Sequence, residues 1–149
     1  MRKMNVSKYI EKINDLPFRE VSVGLTTIHL FSENEVFDGQ LGYSIDTIGN
    51  SLVGEKNGDW KKTWLVIGYE DICGDPIFTD LDKKNFPVFT AIHGTGNWNE
   101  KLIAESFDNF IKSLKFLSEF QTKEQAIKKI QSLNQQIDLE FWMLLFETD

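Results

Sequence analysis

The chain has 149 residues, of which 41% are hydrophobic, and a formal net charge of −7. That length suits a single domain spanning 1–149, and 12 Phe, 4 Trp and 3 Tyr supply a core, which excludes a disordered chain. Acidity also argues against nucleic acid as a partner, since phosphate binding needs a basic face; it serves solubility and would steer the chain toward a basic partner.

In chain order, Val6, Tyr9, Ile10, Ile13 and Leu16 fall on one helical face, with Asn5 as a cap and Pro17 as the stop. Arg19 to Phe31 is rich in Val, Thr and Ile, with Val21 and Val23 alternating against Glu20 and Ser22, and is expected to hold at least one strand. Ser32-Glu33-Asn34-Glu35 has capping-box spacing and predicts a short helix to Phe37 or Asp38. From Gly39 to Lys62 the chain is loop-rich, with short edge strands expected at Tyr43–Ile45 and Ser51–Val53. Trp64 to Tyr69 is nearly continuously apolar, as expected of a central strand buried on both faces. Pro76–Asp80 and Val88–Ile92 are two further strands, and the short turns between them predict an antiparallel meander.

The last third predicts helices. A stripe from Asn99 through Leu102, Ile103, Phe107, Phe110, Ile111, Leu114 and Leu117 has a 3.6-residue period. Thr122-Lys123-Glu124-Gln125 is a second capping box that opens a helix to Leu133, and Asp138 caps a short one to Phe146. The fold class expected is therefore α+β. The longest apolar run, Phe141 to Phe146, is far short of the roughly 20 residues that span a bilayer, and no signal-like stretch follows Arg2-Lys3. A lone Cys73 can form no internal disulfide, so the cytoplasm is the expected compartment, with no membrane association.

Candidate chemistry centres on His93, which precedes Gly94-Thr95-Gly96-Asn97-Trp98. A glycine loop between a strand and a helix is the geography of an anion site, yet Asn99 stands where a dinucleotide fingerprint needs its third glycine. The glycines read instead as a tight turn, with Trp98 stapling a helix to the sheet. A hydrolytic or nucleotide-binding site using His93, Asp75 and Asp80 requires those three side chains to converge in one pocket. A further carboxylate, Asp82, shares a strand face with Asp80 if the strand runs that far. His29, in an apolar neighbourhood, reads as a hydrogen-bonded, half-buried residue. No nucleophile elbow or paired acid/base signature is present, and neither a cofactor nor a metal is expected. Trp60, Lys62 and Trp64 alternate, which makes Trp60 a candidate interface anchor or a core residue.

Five pieces of the middle region occur in a characteristic order: Trp64-Leu65-Val66-Ile67-Gly68-Tyr69; Gly74-Asp75-Pro76-Ile77-Phe78-Thr79-Asp80; Pro87-Val88-Phe89; His93-Gly94-x-Gly96-x-Trp98; and Ile103-Ala104-x-Ser106-Phe107-x-x-Phe110. Together, over about Trp64 to Leu117, they resemble the SUKH (Smi/Knr-like) superfamily, which includes fungal regulators of cell-wall synthesis and bacterial toxin-immunity proteins. Leu16-Pro17 partly echoes the family's opening, whereas Val21 to Val53 departs from its commonest pattern. The resemblance implies a twisted antiparallel sheet with helices packed against it and a protein-binding, non-enzymatic role. The implied partner is a cognate toxin, with a nuclease suiting the acidic charge, or another cellular protein if the domain is a general scaffold. Candidate contacts are Trp60 and the acidic turns Asp71, Asp75, Asp80 and Asp82.

Overall fold

The computed structural model describes residues 2–119 and 122–147, with the side chains of residues 2–4 outside that description. Helix α1 (Arg2–Asn14) leads into strands β1 (Glu20–Val23) and β2 (Thr26–Leu30) and a 3-10 turn at Asp38–Gln40. Strands β3 (Trp64–Glu70), β4 (Pro76–Asp80), β5 (Val88–Thr90) and β6 (Lys101–Ala104) follow, then helices α2 (Phe107–Glu119), α3 (Lys123–Leu133) and α4 (Glu140–Leu145). The strands form one sheet in the order β1-β2-β3-β4-β5-β6, every neighbouring pair antiparallel. The α+β class and the meander expected from the short turns are both observed. Among the described residues, no helix is long and apolar enough to cross a membrane.

Alternation along the strands builds two cores, one on each face of the sheet. Leu65 and Ile67 of β3, Ile77 of β4 and Val88 of β5 point to the helices, where they meet Tyr9, Ile13, Phe107, Phe110, Leu114, Ile130 and Trp142. The residues between them, Trp64, Val66, Phe78 and Phe89, point the other way and are covered by Trp60, Tyr43, Val53 and Trp98 from the connecting loops. Both faces of β3 are therefore buried, which is why its sequence is apolar without alternation. Gln40 anchors the loop layer: its side-chain amide donates to the Val36 and Val66 carbonyls and accepts from the Val66 N–H.

Several local expectations are corrected. Asn5 lies inside α1, not at its start; good helix formers precede it, and its side-chain amide donates to the Leu81 carbonyl at 2.8 Å. Arg19–Phe31, expected to hold at least one strand, holds two, paired as a hairpin around Gly24, whose φ is 59°. The Ser32–Glu35 box forms only half of its pair: the Ser32 N–H donates to Glu35 Oε1, but Ser32 Oγ also donates there and the Glu35 N–H goes to the Ser32 carbonyl, which closes only turns that run into Asp38–Gln40. The two Ser32 bonds to Oε1 hold the Glu35 carboxyl below its ordinary pKa, the backbone donor contributing most. Tyr43–Ile45 and Ser51–Val53 form isolated bridges instead of strands.

The stripe from Asn99 splits: Leu102 and Ile103 lie in β6, and the helix begins at Phe107. Ser106 sets that boundary as the cap, its Oγ accepting the Asn109 N–H at 3.0 Å. The Thr122 box opens α3 as expected, Thr122 Oγ1 accepting from Gln125 N–H. The terminal segment is helical, with Asp138 Oδ1 accepting the Glu140 N–H.

Candidate functional site

The meander places the β1–β2 turn, the β3–β4 turn, the end of β5 and the start of β6 at one end of the sheet. The β3–β4 turn is built by Glu70, a buried carboxylate that accepts backbone N–H groups from Ile72, Cys73 and Asp75. Gly74, at φ 75°, provides the left-handed residue that this tight loop requires. Asp71 then ties the turn to β2: its Oδ1 accepts the Thr27 N–H at 2.7 Å, and its Oδ2 lies 3.8 Å from His29 Nε2. His29 is half-buried, as expected, and its other ring nitrogen is 3.0 Å from Glu20 Oε1.

Asp75 reaches across to the segment after β5. Its Oδ1 accepts both the His93 backbone N–H at 3.0 Å and the ring Nδ1–H at 2.7 Å. This pins the His93–Trp98 loop to the β3–β4 turn, with Gly94 and Gly96 at φ 80° and 85° inside it. The loop leads into strand β6 and not into a helix, so no helix N-terminus faces it. Trp98 packs on Tyr43 and Trp60, and its backbone N–H donates to the Gly58 carbonyl. The expected staple thus joins two loops.

Only two of the three residues required for the hydrolytic reading converge. Asp80 stands at the far end of β4 from Asp75, five strand residues or roughly 16 Å away. There it accepts the Asp82 N–H within the β4–β5 turn, beyond the strand, so the two carboxylates share no strand face. Cys73 is the nearest thiol, but its pKa is raised by desolvation first and then by Glu70 and Asp75, which keeps it protonated and weakly nucleophilic. Glu70, Cys73 and Asp75 bring three ligand atoms within 4.8 Å of one another. Both Glu70 oxygens already accept turn amides, which commits that carboxylate to the backbone.

The five candidate contacts are divided by the fold. Asp71 and Asp75 sit at the end just described, and Asp80 and Asp82 at the opposite end. Trp60 is only 1% exposed, wedged among Tyr43, Trp64, Phe78 and Trp98, so it is a core residue and presents no surface to a partner. The loop segment that carries it folds back over the sheet, which alternation alone does not convey.

Around Asp71 and Asp75 lie large exposed apolar side chains that sequence patterning passes over, because they sit in turns, just past a strand or on a short helix: Leu25 at 70%, Ile72 at 50%, Ile92 at 57% and Leu144 at 48% exposure. Ile72, Ile92 and Leu144 line a cleft of about 100 Å³ whose wall also includes Glu70, Cys73, Asp75, Lys101 and Glu140. A polar-rimmed apolar group of this kind is what an interaction surface offers. Comparison with protein-family models, curated proteins and solved structures finds no match to this chain.

Proposed function

We propose that this domain is an immunity protein that binds a cognate bacterial toxin directly and neutralises it, with a nuclease as the toxin class that a net charge of −7 suits best. The observation that carries the reading is the exposed apolar group Leu25, Ile72, Ile92 and Leu144 set around Asp71 and Asp75 at one end of the sheet. Burial of the apolar side chains would supply affinity, and the carboxylates would select and orient a basic partner. The SUKH-like order of motifs supports the choice of an immunity role over other protein-binding roles. Contacts are accordingly assigned to Asp71 and Asp75 rather than to Asp80, Asp82 or Trp60.

The test is co-purification of the chain with toxins encoded beside its gene, followed by an assay of each retained toxin. Retention with loss of toxin activity is the expected result, and an Ile72→Glu/Ile92→Glu double variant should fold normally yet weaken retention at least about tenfold. Retention of no neighbouring product would sink the immunity reading. Stable capture of an unrelated cellular protein on the same surface would favour a general scaffold.

A further inference from the structure

The cleft beside Asp75 is too small for most ligands. Its volume of about 100 Å³ falls below the roughly 300–1,000 Å³ of sites for drug-sized molecules and cofactors. A single side chain is the size of object it accommodates. Its apolar wall comes from Ile72, Ala91, Ile92, Phe141, Leu144 and Leu145. Its charged wall holds three carboxylates, Glu70, Asp75 and Glu140, against one ammonium, Lys101, which is itself 3.2 Å from Glu140 Oε2.

We propose that this cleft receives the side chain of a lysine or arginine from the partner protein, its aliphatic stem against Ile72, Ile92 and Leu144 and its cationic head at Asp75. The inference rests on the protein-binding reading above and deepens it. Asp75 is the carboxylate free to act. Both oxygens of Glu70 are taken by turn amides, and Glu140 is engaged by Lys101, while Asp75 uses Oδ1 for His93 and forms no hydrogen bond through Oδ2 among the described residues. His93 holds the carboxylate in place without consuming its second oxygen. Lys and Arg alone combine a long apolar stem with a cation, so they match both walls at once. The raised thiol pKa of Cys73, whose causes after desolvation are Glu70 and Asp75, is a separate sign of a negative field in the cleft.

The experiment is a methyl-NMR titration of the full chain with n-butylguanidinium, and with n-butylurea as its neutral counterpart of similar shape. We expect n-butylguanidinium to shift the Ile72, Ile92 and Leu144 methyls saturably with a Kd on the order of millimolar, as suits so small a ligand. Butylurea should bind about tenfold more weakly, and Asp75→Asn, which keeps an oxygen for the His93 bonds, should weaken butylguanidinium by a similar factor. Ile92→Ala should weaken both probes, reporting the stem contact. Equal binding of the two probes, or unmoved methyls with butylguanidinium, overturns the inference. A toxin that binds while those methyls stay unmoved overturns this inference alone; butylguanidinium binding with no toxin retained upholds the cation preference and overturns the immunity reading.

Discussion

The side-chain amide of Gln40 pairs with the backbone of Val66 as a neighbouring strand would, donating at 2.8 Å to its carbonyl and accepting at 2.9 Å from its N–H. β2 pairs with β3 only as far as Leu30↔Gly68, so Val66 has no strand partner on that side. One amide supplies it, and both residues are buried. Gln40→Leu would take that partner from three buried backbone groups, the Val36 carbonyl and both Val66 groups, and is expected to cost about 2–4 kcal/mol in urea denaturation. A loss below about 1 kcal/mol would show that water reaches Val66 instead.

Gly68→Ala should be among the most damaging small substitutions. A Cβ there would collide with the His29 backbone carbonyl on β2, which cannot move without disturbing the hairpin. The expected cost is about 2–3 kcal/mol, with the loss of protection from hydrogen exchange concentrated in β2 and β3. Unchanged stability would mean that the β3 irregularity between Val66 and Gly68 absorbs the methyl group.

Tyr9 is fully buried against Phe86 and Phe107, and its hydroxyl has no hydrogen-bond partner among the described residues. Tyr9→Phe should therefore be neutral or stabilising by up to about 1 kcal/mol, since it removes an unsatisfied group and keeps the ring packing. Burial raises the hydroxyl pKa above its ordinary value of 10.0. The unfolded chain then ionises first, so this contribution to stability is intact below pH 10 and is lost as pH rises above it. Thermal melts between neutral pH and pH 11 should show a shallower alkaline decline for the variant; parallel declines would count against this assignment.

Asp75→Ala should release the His93–Trp98 loop. Two bonds to His93 vanish, one of them to a backbone N–H, and a cost of about 1–2 kcal/mol is expected, with faster amide exchange at His93. Asp82→Ala, exposed in the opposite turn with only its backbone N–H bonded to Asp80, should change stability by less than about 0.5 kcal/mol. A reversal of that order would mean that the acidic end is held by something other than this bridge.

The parts of the fold legible in the sequence were those in which one local rule decides. Continuous apolar character marked β3, turn chemistry at Gly74-Asp75-Pro76 marked β4, and Thr122 marked the start of α3. Leu102 and Ile103 have a spacing from Phe107 and Phe110 that fits a helix, while the pairing of Lys101 with Thr90, Leu102 with Phe89 and Ala104 with Val88 draws residues 101–104 into the sheet edge. The Asp75–His93 bridge was half legible: both residues stood out, but a separation of 18 positions gives no sign that they meet. For Trp60 alternation leaves both an interface anchor and a core residue open, and the structure selects the core, since burial by a returning loop leaves no periodic trace. Ile72, Ile92 and Leu144 lie in a turn, just past a strand and in a short helix, so no single pattern joins them until the fold gathers them.

The strand order equals the chain order, so every strand pairs with its immediate neighbours in sequence. Four of the five pairings close short connections, and only β2–β3 must wait for the long segment from 31 to 63. That closure should be the entropic bottleneck of folding, with β3, β4 and β5 assembling early and the β1–β2 hairpin docking last. The cleft draws Thr26 from the late hairpin and Ile72, Asp75 and Ile92 from the early unit. A nascent or partly folded chain would therefore lack a complete receptor, and recognition would begin only once the final strand has docked.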